Sequence, residues 1–191
     1  MELHQDDLGA VQSESEWVYE TDNREQYIQG RDSQWEVVRE VIETVLLAVV
    51  IWLVVNFATA RFVVDGSSME PNLHSGQFLI VSKIAYRLGA PQRGDVIVFH
   101  YPNNPSEDYI KRVIGLPGDT VMIQRGTITV NGDTLEEPYV AMQSTFGRHA
   151  SGTWAVEDGQ LFVLGDNRAG SSDSRDWGLL DEDYVIGKAW F

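Results

Sequence analysis

The sequence predicts a mainly β protein: a folded antiparallel β-sheet or barrel, anchored by one transmembrane helix near the amino terminus. After Arg61 the chain consists of short β-rich runs separated by turn residues. Before Arg61, every residue from 45 to 55 is apolar. Helical periodicity is scarce in the later part, apart from a short stretch around 83–88. A length of 191 residues suits one domain of ordinary size plus an anchor.

Residues 1–34 form a polar, acidic segment in which Asp and Glu far outnumber the two arginines, Arg24 and Arg31. Such a composition cannot bury enough apolar surface to offset chain entropy, so we expect a disordered tail. The formal net charge of -15 argues against nucleic acid as a partner and against adhesion to anionic lipid by charge. The chain has no cysteine, which excludes disulfides, thiol catalysis and a Cys-ligated zinc site.

Residues 35–61 are predicted to hold one transmembrane helix with its flanks. The window 41–60 is apolar except at Glu43, Thr44, Asn56 and Thr59. Twenty residues at the helical rise reach ~30 Å, the thickness of a hydrocarbon core. The distance from the start and the acidic flank favour a retained anchor over a cleaved signal peptide.

The arginines around this span predict its orientation. Arg24, Arg31 and Arg39 precede it, whereas Arg61 stands alone in the first stretch after it. By the positive-inside rule, the amino terminus is expected in the cytoplasm and residues 62–191 outside. These residues are expected to form one extracytoplasmic β-rich domain.

The exterior domain is predicted to contain eight short strands. The stretch from Thr127 to Thr134 also has the signature of a tight hairpin, because Asn131-Gly132 in its middle accepts the positive φ angles of a type I′ turn. The predicted strands are Phe62–Val64, Phe78–Ser82, Asp95–His100, Tyr109–Ile114, Thr120–Gln124, Thr127–Val130, Gln160–Leu164 and Val185–Phe191.

Candidate catalytic residues follow from the need to activate a serine. Ser67 and Ser68 lie soon after the apolar run. A hydroxyl is a poor nucleophile until a base takes its proton. In an extended strand the side chains of Tyr109, Lys111 and Val113 share one face, where burial would keep the lysine amine neutral. A histidine triad using His100 is the alternative base.

Four segments in this order resemble bacterial type I signal peptidase, the membrane-anchored enzyme that removes secretory signal peptides. The resemblance covers roughly residues 40–191. The segments are Ser68-Met69-Glu70-Pro71, Gly94-Asp95-Val96-Ile97-Val98-Phe99, the run YIKRVIGLPGD from Tyr109 to Asp119, and Gly165 through Arg175.

The resemblance implies a serine endopeptidase with a Ser/Lys dyad and no metal or cofactor. It selects Ser68 over Ser67 as the nucleophile and Lys111 as the general base. Some relatives carry a serine where this chain has Gly66, and its hydroxyl donates to the oxyanion. Here the Ser68 backbone N–H would have to serve, with Gly66, Ser67 or water as the second donor. The usual threonine after the proline is Asn72 here.

The resemblance also assigns supporting and substrate-binding residues. Ser171 would hydrogen-bond the Lys111 amine, Asp173 would pair with Arg175, and Asp166 would hold Arg112. An extended substrate would add to a strand edge, with small pockets demanding the A-x-A pattern. The residues expected to line these pockets are Phe62, Val64, Met69, Leu73, Tyr109 and Ile110.

The implied location is the plasma membrane, as a single-pass protein with its catalytic domain outside. The implied partners are exported preproteins through their signal peptides, the lipid bilayer and, as a candidate, the secretion translocon. Two other functions are considered. One is a self-cleaving Ser/Lys protease like the phage-repressor and mutagenesis proteins, which the membrane span disfavours. The other is an anchored β-barrel that binds peptides without catalysis, which has no need of a desolvated lysine.

Overall fold

The computed structural model describes residues 34–140 and 151–190 and divides the chain into two compact units, 1–54 and 55–191. The predicted tail lies outside the described residues except for Gln34. Helix α1, Gln34–Ala58, is long and apolar enough to cross a membrane. Its 25 residues extend about 37 Å, and its apolar side chains are exposed. The predicted division into tail, anchor and exterior domain stays a prediction.

In the described part of the second unit, the larger sheet has seven antiparallel strands in the order β1-β2-β11-β3-β4-β9-β10. The longest is β4, which pairs with β3 along most of its length and with β9 at its carboxyl end. The strands are β1 Thr59–Val63, β2 Phe78–Ser82, β3 Val96–Tyr101, β4 Asn104–Gly115, β9 Gln160–Leu164, β10 Leu180–Asp181 and β11 Val185–Trp190.

The described residues also form a smaller antiparallel sheet of four strands, in the order β7-β6-β5-β8. The predicted tight turn is confirmed: Val130 pairs with Asp133, and Asn131 and Gly132 both have positive φ angles. The strands are β5 Thr120–Gln124, β6 Thr127–Val130, β7 Asp133–Thr134 and β8 Ser151–Ala155.

Among residues 55–140 and 151–190, the structure also describes three short helical segments: α2 at Ala85–Leu88, α3 at Ser174–Trp177 and a 3-10 turn at Glu182–Tyr184. Helix α3 begins at a capping box, in which the Asp173 carboxylate accepts from the helix backbone while the Asp176 side chain accepts from the backbone of Asp173. This cap fixes Asp173 within the segment from Gly165 to Arg175.

The core follows the period-2 alternation of the strands. In β2, Leu79 and Val81 are buried while Phe78 and Ile80 are exposed, so one face of the sheet packs inward. Met69 and Leu73, from the connection between β1 and β2, join this cluster and are almost completely buried. The packing therefore fixes the segment that contains Ser68.

The mainly β class predicted from the sequence is confirmed. Of the predicted strands, Phe78–Ser82, Thr120–Gln124, Thr127–Val130 and Gln160–Leu164 have the predicted ends, and three others differ at their ends. The last, Val185–Phe191, begins as predicted, and its final residue lies outside the described residues. The sequence interpretation missed β7, β8 and β10, of which β7 and β10 have two residues each. A strand of two residues is too short to show the alternation of apolar and polar residues by which strands are predicted.

Candidate active site

Ser68 lies in the connection between β1 and β2. The connection closes through hydrogen bonds from Val64 N to Gln77 O and from Gly76 N to Val64 O. Beyond Ser68 the chain makes one helical turn, in which Leu73 N donates to Met69 O at 3.0 Å. With Met69 and Leu73 inside the core, the half-buried serine is held on a rigid turn.

Lys111 lies on β4, opposite Ile97 of β3, and only 3% of it is exposed. Its Nζ is 2.9 Å from Ser68 Oγ and also donates to the Ile110 carbonyl at 2.9 Å. The amine lies 5.1 Å from the centre of the Tyr109 ring. The structure therefore brings the two predicted dyad residues into hydrogen-bond contact, with the aromatic neighbour expected from strand alternation.

Burial lowers the pKa of Lys111 from 10.5 to about 8. Desolvation is the largest cause, because it disfavours the ammonium form. The carboxylates of Asp173 and Asp166 act in the opposite direction and raise the pKa. With a pKa of about 8, roughly a tenth of the amine is neutral at pH 7. The site therefore contains a base able to accept the Ser68 proton near neutral pH.

Two buried ion pairs form as expected. Asp166, fully buried, accepts from Arg112 Nε at 2.8 Å and from Arg112 Nη2 at 2.7 Å. Asp173 accepts from Arg175 Nε at 2.7 Å and from Arg175 Nη2 at 2.8 Å. Bidentate pairs of this kind fix the orientation of both partners. The Asp173 side chain also accepts from the Gly165 backbone N–H, which closes the segment on itself.

The expected hydrogen bond between Ser171 and Lys111 is not formed in this structure. Within residues 34–140 and 151–190, the buried Ser171 Oγ has no hydrogen-bond partner. A Cβ built on Gly165 would be 2.3 Å from Ser171 Oγ and 2.5 Å from Ser68 O. Ser171 and the backbone of Ser68 therefore both pack against Gly165. Lys111 instead donates to its own neighbour, the Ile110 carbonyl.

Asn167 is a site residue that the sequence interpretation did not assign. Its backbone N–H donates to Ser68 O at 3.0 Å, and its Nδ2 donates to Ser67 O at 3.1 Å. These bonds direct two carbonyls of the nucleophile turn toward Asn167. The residue stood inside the Gly165–Arg175 segment, but sequence alone does not say which backbone groups a turn asparagine contacts.

The oxyanion donors expected from the resemblance lie on the same turn. No described residue accepts a hydrogen bond from the Ser68 backbone N–H. The Gly66 N–H makes a long contact of 3.4 Å to Ser75 Oγ. Gly66 has a φ of 99°, a conformation that favours glycine at this position.

A cleft of about 620 Å³ opens beside the dyad. One side is the end of β1 with the nucleophile turn, and the other is formed by residues 107–111 in the middle of β4. Four of the six predicted substrate-binding residues line it, namely Phe62, Val64, Tyr109 and Ile110. Met69 and Leu73 do not line the cleft, because their side chains are buried in the hydrophobic core.

The histidine alternative lacks the required geometry. His100 Nδ1 lies 2.7 Å from Asp108 Oδ1 on the exposed part of the β3–β4 ladder. It is three residues along β3 from Ile97, the partner of Lys111, which is about 10 Å at the rise of a strand. His74 is paired with Glu70 at 3.9 Å. His4 and His149 lie outside the described residues.

The chain is similar in sequence to known proteins. Residues 37–191 match the family described as signal peptidase, peptidase S26. Signal peptidase IB of Staphylococcus aureus (strain COL) is 36% identical over 171 residues, which cover 82% of this chain and 88% of that relative. Signal peptidase I of Bacillus caldolyticus is 39% identical over 173 residues, covering 85% of this chain and 89% of that relative.

A solved structure, that of a signal peptidase I from Enterococcus faecalis V583, is 36% identical to the matched part of this chain. The match covers 51% of this chain and 95% of that protein, with a TM-score of 0.45.

Proposed function

Because the chain belongs to the signal peptidase family, peptidase S26, we propose that it removes signal peptides with Ser68 as nucleophile and Lys111 as general base. Membership of the family makes it a serine peptidase, a hydrolase, and supports signal-peptide removal as its activity. The observation that carries the dyad is the 2.9 Å contact between Lys111 Nζ and Ser68 Oγ at a buried lysine. The two other functions considered from the sequence, a self-cleaving regulator and a non-catalytic peptide binder, explain the match to this family less well.

The proposed reaction has two steps. Neutral Lys111 takes the Ser68 proton as Oγ attacks the scissile carbonyl, and the oxyanion accepts from the Ser68 N–H. The Lys111 ammonium then returns the proton to the leaving amine as the C–N bond breaks, leaving the signal peptide as an ester on Ser68. Water, activated by the same amine, hydrolyses this ester and restores the serine.

Substrate selection follows from the two strand edges that border the cleft. Among the described strands, β1 is at the edge of its sheet. β9 pairs with β4 only between Arg112 and Gly115, so the same edge of β4 has no described partner strand before Arg112. An extended peptide can therefore pair along the first half of β4. Phe62, Val64 and Ile110 line this cleft. The proposed preference is for small residues at the alternate positions whose side chains enter it, which is the A-x-A pattern.

The proposed location is the plasma membrane, with α1 as a single anchor, the amino terminus in the cytoplasm and residues 62–191 outside. The substrates are exported preproteins, and the translocon that delivers them is the proposed partner. Protease added to spheroplasts should then degrade the β domain and spare an epitope tag placed before residue 34. Degradation of the tag with protection of the β domain would contradict this orientation.

The test of the proposal uses the adjacent serines as a matched pair. Ser68→Ala should abolish cleavage of a preprotein with an Ala-x-Ala site in detergent. Ser67→Ala, one residue away and exposed, should keep most of the activity. Full activity in Ser68→Ala would show that Ser68 is not the nucleophile. Equal loss in both variants would mean that the substitutions disturb the turn, and the loss in Ser68→Ala could then not be assigned to its hydroxyl.

A further inference from the structure

Asn72 makes two hydrogen bonds with its side-chain amide, four residues after the nucleophile. Its Nδ2 donates to Asp166 Oδ2 at 2.8 Å and to the Tyr139 carbonyl at 2.7 Å. A side-chain amide has two N–H donors, so both are used. Its backbone N–H donates to Met69 O, which ties Asn72 to the turn that carries Ser68.

These contacts complete a closed chain of interactions, here called the ring, that joins the nucleophile to the base. From Ser68 the turn leads to Asn72, whose amide binds Asp166. Asp166 forms the bidentate pair with Arg112, the residue directly after Lys111. Lys111 Nζ closes the ring on Ser68 Oγ. Asn72 therefore joins the nucleophile turn to the Asp166 carboxylate of the ion pair by a direct side-chain hydrogen bond.

The surroundings of the ring hold it in one arrangement. The Tyr139 ring lies over the Arg112 guanidinium at 4.0 Å, while the Tyr139 carbonyl accepts from Asn72. Asp166 is fully buried, and 8% of Arg112 is exposed. A movement of Asn72 would remove a donor from a buried carboxylate, which is costly in a low-dielectric interior. The ring therefore resists small displacements of the Ser68 turn relative to β4.

We propose that Asn72 is a positioning residue that sets the distance between Ser68 and Lys111 through Asp166 and Arg112. This inference rests on the proposed function, since it assumes that Ser68 and Lys111 react together. Asn72 is not among the residues that line the cleft, so its contribution is expected in the chemical step rather than in substrate binding. A displacement of about 1 Å between reacting groups can reduce a rate by about a hundredfold.

The test compares Asn72→Val with Asn72→Thr, which have nearly the same shape and differ in one hydroxyl donor. Valine donates to neither acceptor, so kcat on a preprotein should fall by about ten- to a hundredfold while KM changes less than about twofold. Threonine can donate to one acceptor, and its kcat should lie between that of valine and that of the wild type. Each rate is divided by the amount of folded enzyme measured by circular dichroism.

Asn131→Gly is the matched control. The Asn131 amide also bridges two groups, with Nδ2 donating to Asp119 at 2.7 Å and Oδ1 accepting from Thr120 N at 2.8 Å, but in the smaller sheet. Glycine retains the positive φ of 55° at that position. This variant should lose stability and keep its kcat per folded molecule within about twofold.

Wild-type kcat in Asn72→Val, equal kcat in the valine and threonine variants, or a raised KM with unchanged kcat would each overturn the inference. If Asn72→Val does not fold, Asn72→Thr decides the matter alone: a reduced kcat at unchanged KM supports the inference, and a wild-type kcat overturns it. Ser68→Ala in the same assay separates the two proposals. Activity in that variant would refute the dyad itself, whereas its inactivity beside an active Asn72→Val would refute the positioning role alone.

Discussion

Lys111 Nζ donates to Ser68 Oγ at 2.9 Å, although the two residues are 43 positions apart and the lysine is 3% exposed. The burial that makes this contact also removes the ammonium from water. The lowered pKa of Lys111 is thus a property of the fold, because the strand β4 places the side chain between Tyr109 and the nucleophile turn. The same burial has a cost in stability, which can be measured.

Lys111→Met should stabilise the folded protein at neutral pH. The pKa of Lys111 is about 8 in the folded state against 10.5 as the ordinary value. Between these pH values the unfolded chain binds more protons, so stability rises with pH across this window, and the full penalty applies below pH 8. Methionine removes the penalty, with a gain on the order of 1–3 kcal/mol at pH 7 that shrinks toward pH 10.

Urea unfolding of the detergent-solubilised protein at pH 7 and pH 10 measures this gain. Lys83→Met is the control, because Lys83 is exposed and its replacement should change the free energy of unfolding by less than about 0.5 kcal/mol. A gain for Lys111→Met that is the same at both pH values would contradict the linkage, as would no gain at pH 7.

Lys111→Arg should be as inactive as Lys111→Ala. The guanidinium keeps the positive charge and several donors but cannot be deprotonated at working pH. The loss should be about a thousandfold or more in kcat, the size expected for a general base. Preprotein cleavage measured with equal amounts of folded enzyme provides the check. Substantial activity in Lys111→Arg would mean that the residue acts through its charge.

Gly165→Ala should reduce activity because the new Cβ would displace the nucleophile turn. That atom would be 2.5 Å from Ser68 O and 2.3 Å from Ser171 Oγ, both far inside van der Waals contact. Gly89→Ala is the matched control, since its Cβ would meet Ala85 O at an ordinary 3.8 Å. We expect at least a tenfold loss of kcat for Gly165→Ala and none for Gly89→Ala. Equal activities would mean that the turn can shift freely.

Much of the fold was predictable because it depends on local patterns. The alternation in Phe78–Ser82 and the Asn131-Gly132 turn have local physical causes, so their positions could be stated from sequence. Lys111 was identifiable as a base candidate because strand periodicity places it beside Tyr109, and the resemblance to a family then paired it with Ser68. The ion pairs Asp166–Arg112 and Asp173–Arg175 followed from that resemblance.

Other features depend on contacts between distant segments and could not be read from one sequence. Met69 and Leu73 were expected in the substrate pockets, but the turn after Ser68 directs them into the core. Ser171 was expected to bind Lys111, but Lys111 finds an acceptor in its neighbour Ile110. The role of Asn167 depends on which carbonyls face it after folding, which sequence spacing does not encode.

The pH dependence of kcat/KM tests the central claim most directly, because it identifies the group that takes the Ser68 proton. If Lys111 is the base, the rate on a preprotein should rise with pH and reach half its maximum near pH 8, as the amine deprotonates. The profile should be the same in His100→Ala and in the presence of EDTA. A half-maximum near the imidazole pKa of ~6.5, together with loss of activity in His100→Ala or with EDTA, would contradict the dyad.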